Sequence, residues 1–184
     1  MFENLKSTPV FEDLEGLVSS KKVYASDGTA AFLTLSKLDL DTDSNLGPDI
    51  KVESTHQNQT TIDPSGLWMN SNTIPFIVMP GGFSERHGKS MGMGTLATVF
   101  YNGRHCHAVV ADIGPKHKYG EGSIALHRAL GFERIKNGKI QDIGIDSGVT
   151  MLLYIGSNIG RKPFIGSDVA KATEPWYQKF AQSV

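Results

Sequence analysis

VVADIGPKHKYGEGSIALHRALG, residues 109–131, ends an apolar run on a carboxylate, Asp112, and sets a second acid, Glu121, between Gly120 and Gly122 just ahead of a helix-like segment. The run Ala108-Val109-Val110-Ala111, followed by Asp112 and then Ile113-Gly114-Pro115, predicts a strand that stops at the acid and holds it half-buried near a barrel mouth. Ser123 is a helix N-cap residue and Gly131 a left-handed stop, so 124–130 is expected to be helical. Two explanations fit an acid at each punctuation point. Asp112 caps a turn and Glu121 supports the helix start through its dipole, or the two acids work as a pair.

The second explanation has a chemical basis. A carboxyl group against an apolar wall loses hydration of its charged form, which suits it to donate a proton, whereas one ahead of a helix N-terminus meets unpaired amides that favour its carboxylate. Two carboxyls with surroundings that separate their proton affinities are what hydrolysis of a glycosidic bond requires. From burial alone Asp112 is the acid and Glu121 the base, with the reverse left open.

Outward from this stretch the chain reads as β-rich. Its 20 glycines and eight prolines punctuate short apolar and β-branched runs, which predicts strands over 22–25, 31–35, 67–70, 76–79, 96–101, 105–112 and 149–155. Asn102-Gly103 tolerates positive φ at both residues and predicts the hairpin joining two of them. A last helix is expected to start at a Thr173 cap and to carry Trp176 and Phe180 at i, i+4. Residues 39–63 and 81–94 show no clear period and read as long surface loops, a place where function often lies.

The chain has 184 residues with 18 basic and 19 acidic side chains. That length suits one domain, read as an N-terminal extension over 1–21 and a catalytic domain over 22–184. The balanced charge gives no footprint for nucleic acid, and no apolar stretch approaches the roughly 20 residues needed to span a bilayer. Cys106 is the single cysteine, so no intramolecular disulfide framework forms and the redox compartment stays open.

The segments ADIGP and GEGSIALHRALG, with NTIPFIVMPG upstream and NGR in the hairpin between, resemble glycoside hydrolase family 75, the fungal and bacterial chitosanases, over residues 22–163. The resemblance implies a six-stranded double-psi β-barrel with a few short helices. It also implies endo-acting, inverting cleavage of the β-1,4 bonds of chitosan without a cofactor. The family's essential aspartate and glutamate fall on Asp112 and Glu121. Members are expected to act outside the cell, but MFENLKSTPVFEDL lacks the basic start and apolar core of an export signal, so the compartment is open. Gly94-Thr95-Leu96-Ala97 stands where many members carry an acid, which bears on substrate preference. The basic 81–93 loop, with Arg86, His87 and Lys89, is an odd companion for a cationic polymer.

The partner so implied is a polysaccharide, with nucleic acid and membrane insertion excluded. Its candidate contacts are Asp39, Asp41, Asp43, Thr73, Trp68, Lys118 and Ser123. The three alternating aspartates offer an acidic rim for ammonium groups. A calcium loop is a poorer fit, since Ser44 and Ile50 stand where glycine and a bidentate glutamate belong, and a solvated turn remains open. Lys116, His117, Lys118 and Tyr119 either line the cleft or are only solvated. Trp68 is the candidate stacking platform, whereas Trp176 at helical spacing is expected in the core. His105 and His107 share a strand face and Cys106 the other, so they do not converge on one metal ion. A peptidoglycan-cleaving enzyme on the same fold and a non-catalytic chitosan-binding module are the competing functions.

Overall fold

A computed structural model describes residues 2–52, 54 and 56–183. The described residues form ten strands and three α-helices: β1 Lys6–Val10, β2 Leu17–Tyr24, β3 Ala30–Asp41, β4 Phe76–Pro80, α1 Phe83–His87, β5 Leu96–Tyr101, β6 Arg104–Gly114, β7 Glu121–Ser123, α2 Ile124–Ala129, β8 Ile135–Lys136, β9 Lys139–Ile140, β10 Ile145–Tyr154 and α3 Gly166–Ala181. Six of the strands run in the order β3-β10-β5-β6-β4-β7, and β7 pairs back onto β3, so the sheet closes into the expected barrel. Closure leaves no edge within those six strands. Two pairings, β4 with β6 and β3 with β7, are parallel, and the other barrel pairings are antiparallel.

Local chemistry accounts for most of these elements. β4, FIVMP, is buried along its whole length, as a strand paired on both sides and covered on both faces must be. Asn102 and Gly103 take φ of 46° and 76° in the two-residue turn that sets Tyr101 opposite Arg104. Ser123 caps α2 by accepting the Leu126 N–H at 3.2 Å, and Gly131 follows the helix at φ 104°. Phe76, Ile77, Leu96, Met151 and Tyr154 fill the core, to which α3 adds Val169, Thr173 and Phe180.

Four expectations are corrected. Residues 67–70 form no strand, because the Trp68 and Met69 N–H groups both donate to Asp63 Oδ2 at 2.9 Å rather than to a neighbouring strand. The last helix starts at Gly166, with Asp168 accepting the Ile165 N–H at 3.0 Å. Thr173 lies inside it and donates to the Val169 carbonyl at 2.7 Å. The stretch 39–63 is not all loop, since β3 continues to Asp41, and 81–94 holds α1 and a 3-10 turn at Lys89–Met91.

The division at residues 21 and 22 falls inside β2, which pairs with β1 from Lys6 opposite Tyr24 to Val10 opposite Ser20. Phe2, Leu5 and Leu14 join the same core as the barrel. The basic loop is held by this segment as well: Glu12 takes Arg86 at 3.2 Å and also pairs with His87. That contact occupies the Arg86 guanidinium and the His87 ring.

Candidate active site

Asp112 owes its position to an irregularity in β6. Ile77 of β4 pairs with Val110, but the next residue, Val78, pairs with Asp112, so Ala111 is an extra residue in the ladder. Its carbonyl accepts the Ile62 N–H at 3.0 Å instead. A bulge of this kind re-aims the side chains beyond it.

Val78 also pairs with Glu121 of β7. The two acids therefore sit level on the strands that flank β4, and partnered residues project to one face. Two strand spacings separate their Cα atoms by about 9.5 Å. The Glu121 side chain leans back across β4, because a Cβ added at Gly114 would lie 2.8 Å from its Oε2 and 3.0 Å from Val78 Cγ1. Gly114 is two residues along β6 from Asp112, about 6.6 Å at strand rise.

The surroundings of the two carboxylates differ. Asp112 Oδ1 accepts the Thr61 N–H at 2.9 Å, the Thr61 hydroxyl at 2.5 Å and the Ile113 N–H at 2.8 Å. All three donors converge on one oxygen. Glu121 Oε1 accepts from Lys118 Nζ at 2.8 Å. The same ammonium lies 3.0 Å from Asp39 Oδ2, which Lys37 also approaches at 3.0 Å, and Lys37 reaches Glu15 at 3.2 Å. Charges of alternating sign thus run from Glu15 to Glu121.

This network divides the acids. Burial pushes Asp39 up, but Lys118 and Lys37 outweigh it and hold the carboxyl below the ordinary aspartate range. Burial depresses Lys118, yet Glu121 and Asp39 bring it above the usual lysine value. Asp41 lies well above the ordinary range through burial, with Asp43, Asp112 and Glu121 adding their charges against the partial relief of the Asp43 N–H. Asp43 is raised for the same first reason, and Asp112 and Glu121 contribute. Asp41, Asp43 and Glu121, with His56 and Asp142, line a cavity of about 220 Å³.

The expected contacts are thus brought together in part. Lys118 bridges Asp39 to Glu121, and Asp41 and Asp43 lie close enough to both acids to feel their charges. Ser123 does not: it is 0 % exposed, and its hydroxyl accepts the Phe76 N–H at 3.0 Å besides that of Leu126, so it is a structural cap closed to substrate. Thr73 is exposed in a turn whose carbonyl faces Gly166, outside the acidic cavity. Trp68 is half-buried with its ring edge-on to Phe164 at 4.9 Å, also outside that cavity.

Three contributors escaped the sequence reading. Thr61 carries no pattern that marks it. His56, whose Nδ1 lies 3.3 Å from the Thr42 hydroxyl, carries none either. Asp63 had a signal in Asp63-Pro64-Ser65-Gly66, a turn-forming run. Burial raises its carboxyl, but the Met69, Ser65 and Trp68 donors overcome that and hold it below the ordinary value. It shapes the loop that delivers Thr61.

Elsewhere His105 stacks on Tyr177 at 5.2 Å and His107 pairs with Glu174 at 2.8 Å. Cys106 packs against the core, where burial pushes its thiol up to about 11. Among the described residues, no three or more His, Cys, Asp or Glu side chains are grouped to hold a metal ion, and no helix is long and apolar enough to cross a membrane. No protein-family model matches the chain. No curated protein matches it.

Proposed function

We propose that the chain is an endo-acting, inverting glycoside hydrolase that cleaves the β-1,4 bonds of chitosan. The observation that carries this reading is the placement of Asp112 and Glu121 level on two strands that flank β4, facing one side. Their Cα separation of about 9.5 Å, with Glu121 leaning toward β6, suits an inverting pair, which needs roughly 6.5 to 9.5 Å between carboxyls to admit a water. The resemblance to the family 75 chitosanases, carried by the motifs that hold these two acids, supports the same reading.

In this mechanism Asp112 is the acid. The donors on Oδ1 fix the group and leave Oδ2 to carry the proton, which passes to the glycosidic oxygen as the bond to the anomeric carbon breaks. Glu121 takes a proton from a water on the opposite face of the sugar, and that water's oxygen forms the new bond with inversion. Asp43 and Glu121 repel one another in the cavity they share with Asp41. An arriving glucosamine ammonium offsets that repulsion and is recognised by charge-assisted hydrogen bonds.

The test is reducing-end release from chitosan by the wild type, Asp112→Asn and Glu121→Gln, with thermal melts to show that each variant folds. Wild-type release that falls at least about 10³-fold in both folded variants is expected, as for loss of an acid or base with its positioning. Full activity in either variant refutes the pair. Chitosan binding without cleavage assigns the site to a binding module, and cleavage of peptidoglycan alone assigns it to a wall-lytic enzyme.

A further inference from the structure

Lys118 lies on the loop between the two acids, and its ammonium is spent inside the protein. It touches Glu121 Oε1 at 2.8 Å and Asp39 Oδ2 at 3.0 Å. Among the described residues it is the one side chain that donates a hydrogen bond to Glu121. Asp39 shares that ammonium with Glu121, Asp41 and Asp43 line the same cavity as the glutamate, and the charge of Asp43 repels it. Like charges in a partly desolvated cleft interact through a low effective dielectric. Without a cation between them, the Glu121 carboxylate has reason to swing away from Asp39 and out of line with Asp112.

The backbone carrying Lys118 is fixed from both sides. Glu15 donates its N–H to the His117 carbonyl at 2.8 Å and accepts the Tyr119 N–H at 2.9 Å. Tyr119 is buried, with its hydroxyl 3.1 Å from the Thr34 hydroxyl. The Gly120 carbonyl accepts the Asp39 N–H at 2.7 Å. Gly120 itself has φ +87°, and a Cβ there would collide with the Lys37 carbonyl oxygen. A loop clamped on each side of residue 118 delivers the ammonium to one place.

We infer that Lys118 is a positioning residue: clamped through Glu15 and Tyr119, it holds the Glu121 carboxylate in the geometry the base requires and does not bind substrate. The inference rests on Glu121 being the base. Its geometric half, that Lys118 sets where Glu121 points, stands without that reading.

Two measurements separate them. The first is hydrolysis of chitosan by Lys118→Met and Lys118→Arg, with Lys118→Gln used where methionine unfolds the chain. Lys118→Met should lose about 10- to 100-fold in kcat with KM within threefold of wild type, since a displacement near 1 Å costs about 10² in rate. Lys118→Arg, whose fork spans two carboxylates, should recover most of it. Unchanged kcat, a rise in KM at constant kcat, or arginine no better than methionine overturns the inference. The second is a crystal structure of wild type and Lys118→Met, in which the Glu121 carboxylate should move by about 1 Å or more. A stationary Glu121 overturns the positioning role whatever the activity, whereas wild type inactive on chitosan with a displaced Glu121 in the variant overturns only the proposed function.

Discussion

Gly114→Ala separates site geometry from fold more sharply than a change to either acid. Gly114 has no positive φ that would exclude a side chain, but its Cβ would come to 2.8 Å from Glu121 Oε2 and 3.0 Å from Val78 Cγ1. An ordinary contact is about 3.5 Å, so the carboxylate must retreat by about 0.7 Å and the valine methyl by about 0.5 Å. The oxygen ends a flexible side chain and moves cheaply. The overpacking should cost about 1 kcal/mol, or about 2–4 °C in Tm for a chain of this size. The catalytic penalty should be larger, because a 1 Å misplacement costs about 10² and 0.7 Å scales to a loss of about 25-fold in kcat. Reducing-end release from chitosan measures the rate, and a thermal melt checks the fold. If kcat stays within twofold while the melt is near wild type, Glu121 is not held over Gly114 for catalysis and the argument fails.

Ser123→Ala removes the acceptor for two buried amides, those of Phe76 and Leu126, and should cost about 2–4 kcal/mol. Thermal melts should then fall by about 4–16 °C with KM unchanged; a raised KM at constant Tm would mean the hydroxyl meets substrate. Burial holds the Asp41 carboxyl well above the ordinary aspartate range, so above about pH 4 the folded chain keeps a proton that the unfolded chain releases. Stability therefore falls as pH rises through that window. Asp41→Asn does not share this fall, and its Tm relative to wild type should climb from pH 4 to pH 7. A flat or declining difference would show that Asp41 is not held in the protonated form.

Much of the barrel is legible because its signals are local. The apolar run of β4, the apolar and β-branched runs of β5 and β6 and the Asn102-Gly103 turn are each set by neighbours in the chain. What failed depends on distant partners. Leu67, Trp68 and Met69 look like a strand until the Asp63 carboxylate takes two of their amides. Thr173 reads as the cap of the last helix, yet α3 starts at Gly166 and runs through that position because Val169 and Phe180 bury on the core at either side. Asp39 and Asp41 alternate with Leu38 and Leu40, but aspartate is rare in strands and 39–63 as a whole shows no clear period, so the stretch reads as loop. Its pairing with the three residues of β7 closes the barrel.

The site was legible for a different reason. Asp112 and Glu121 stand out through residue type and glycine spacing, whereas their alignment depends on the Ala111 bulge, which no glycine or proline announces. Without the bulge Val78 would face Ala111 in the ladder, and Asp112 would point to the opposite face from Glu121. One extra residue in β6 therefore decides whether the two acids share a face, as the proposed hydrolysis requires. The segment that reads as an extension matters for the same reason. Through Glu15 it fixes both backbone neighbours of Lys118, so the geometry of Glu121 depends on residues that lie outside the six barrel strands.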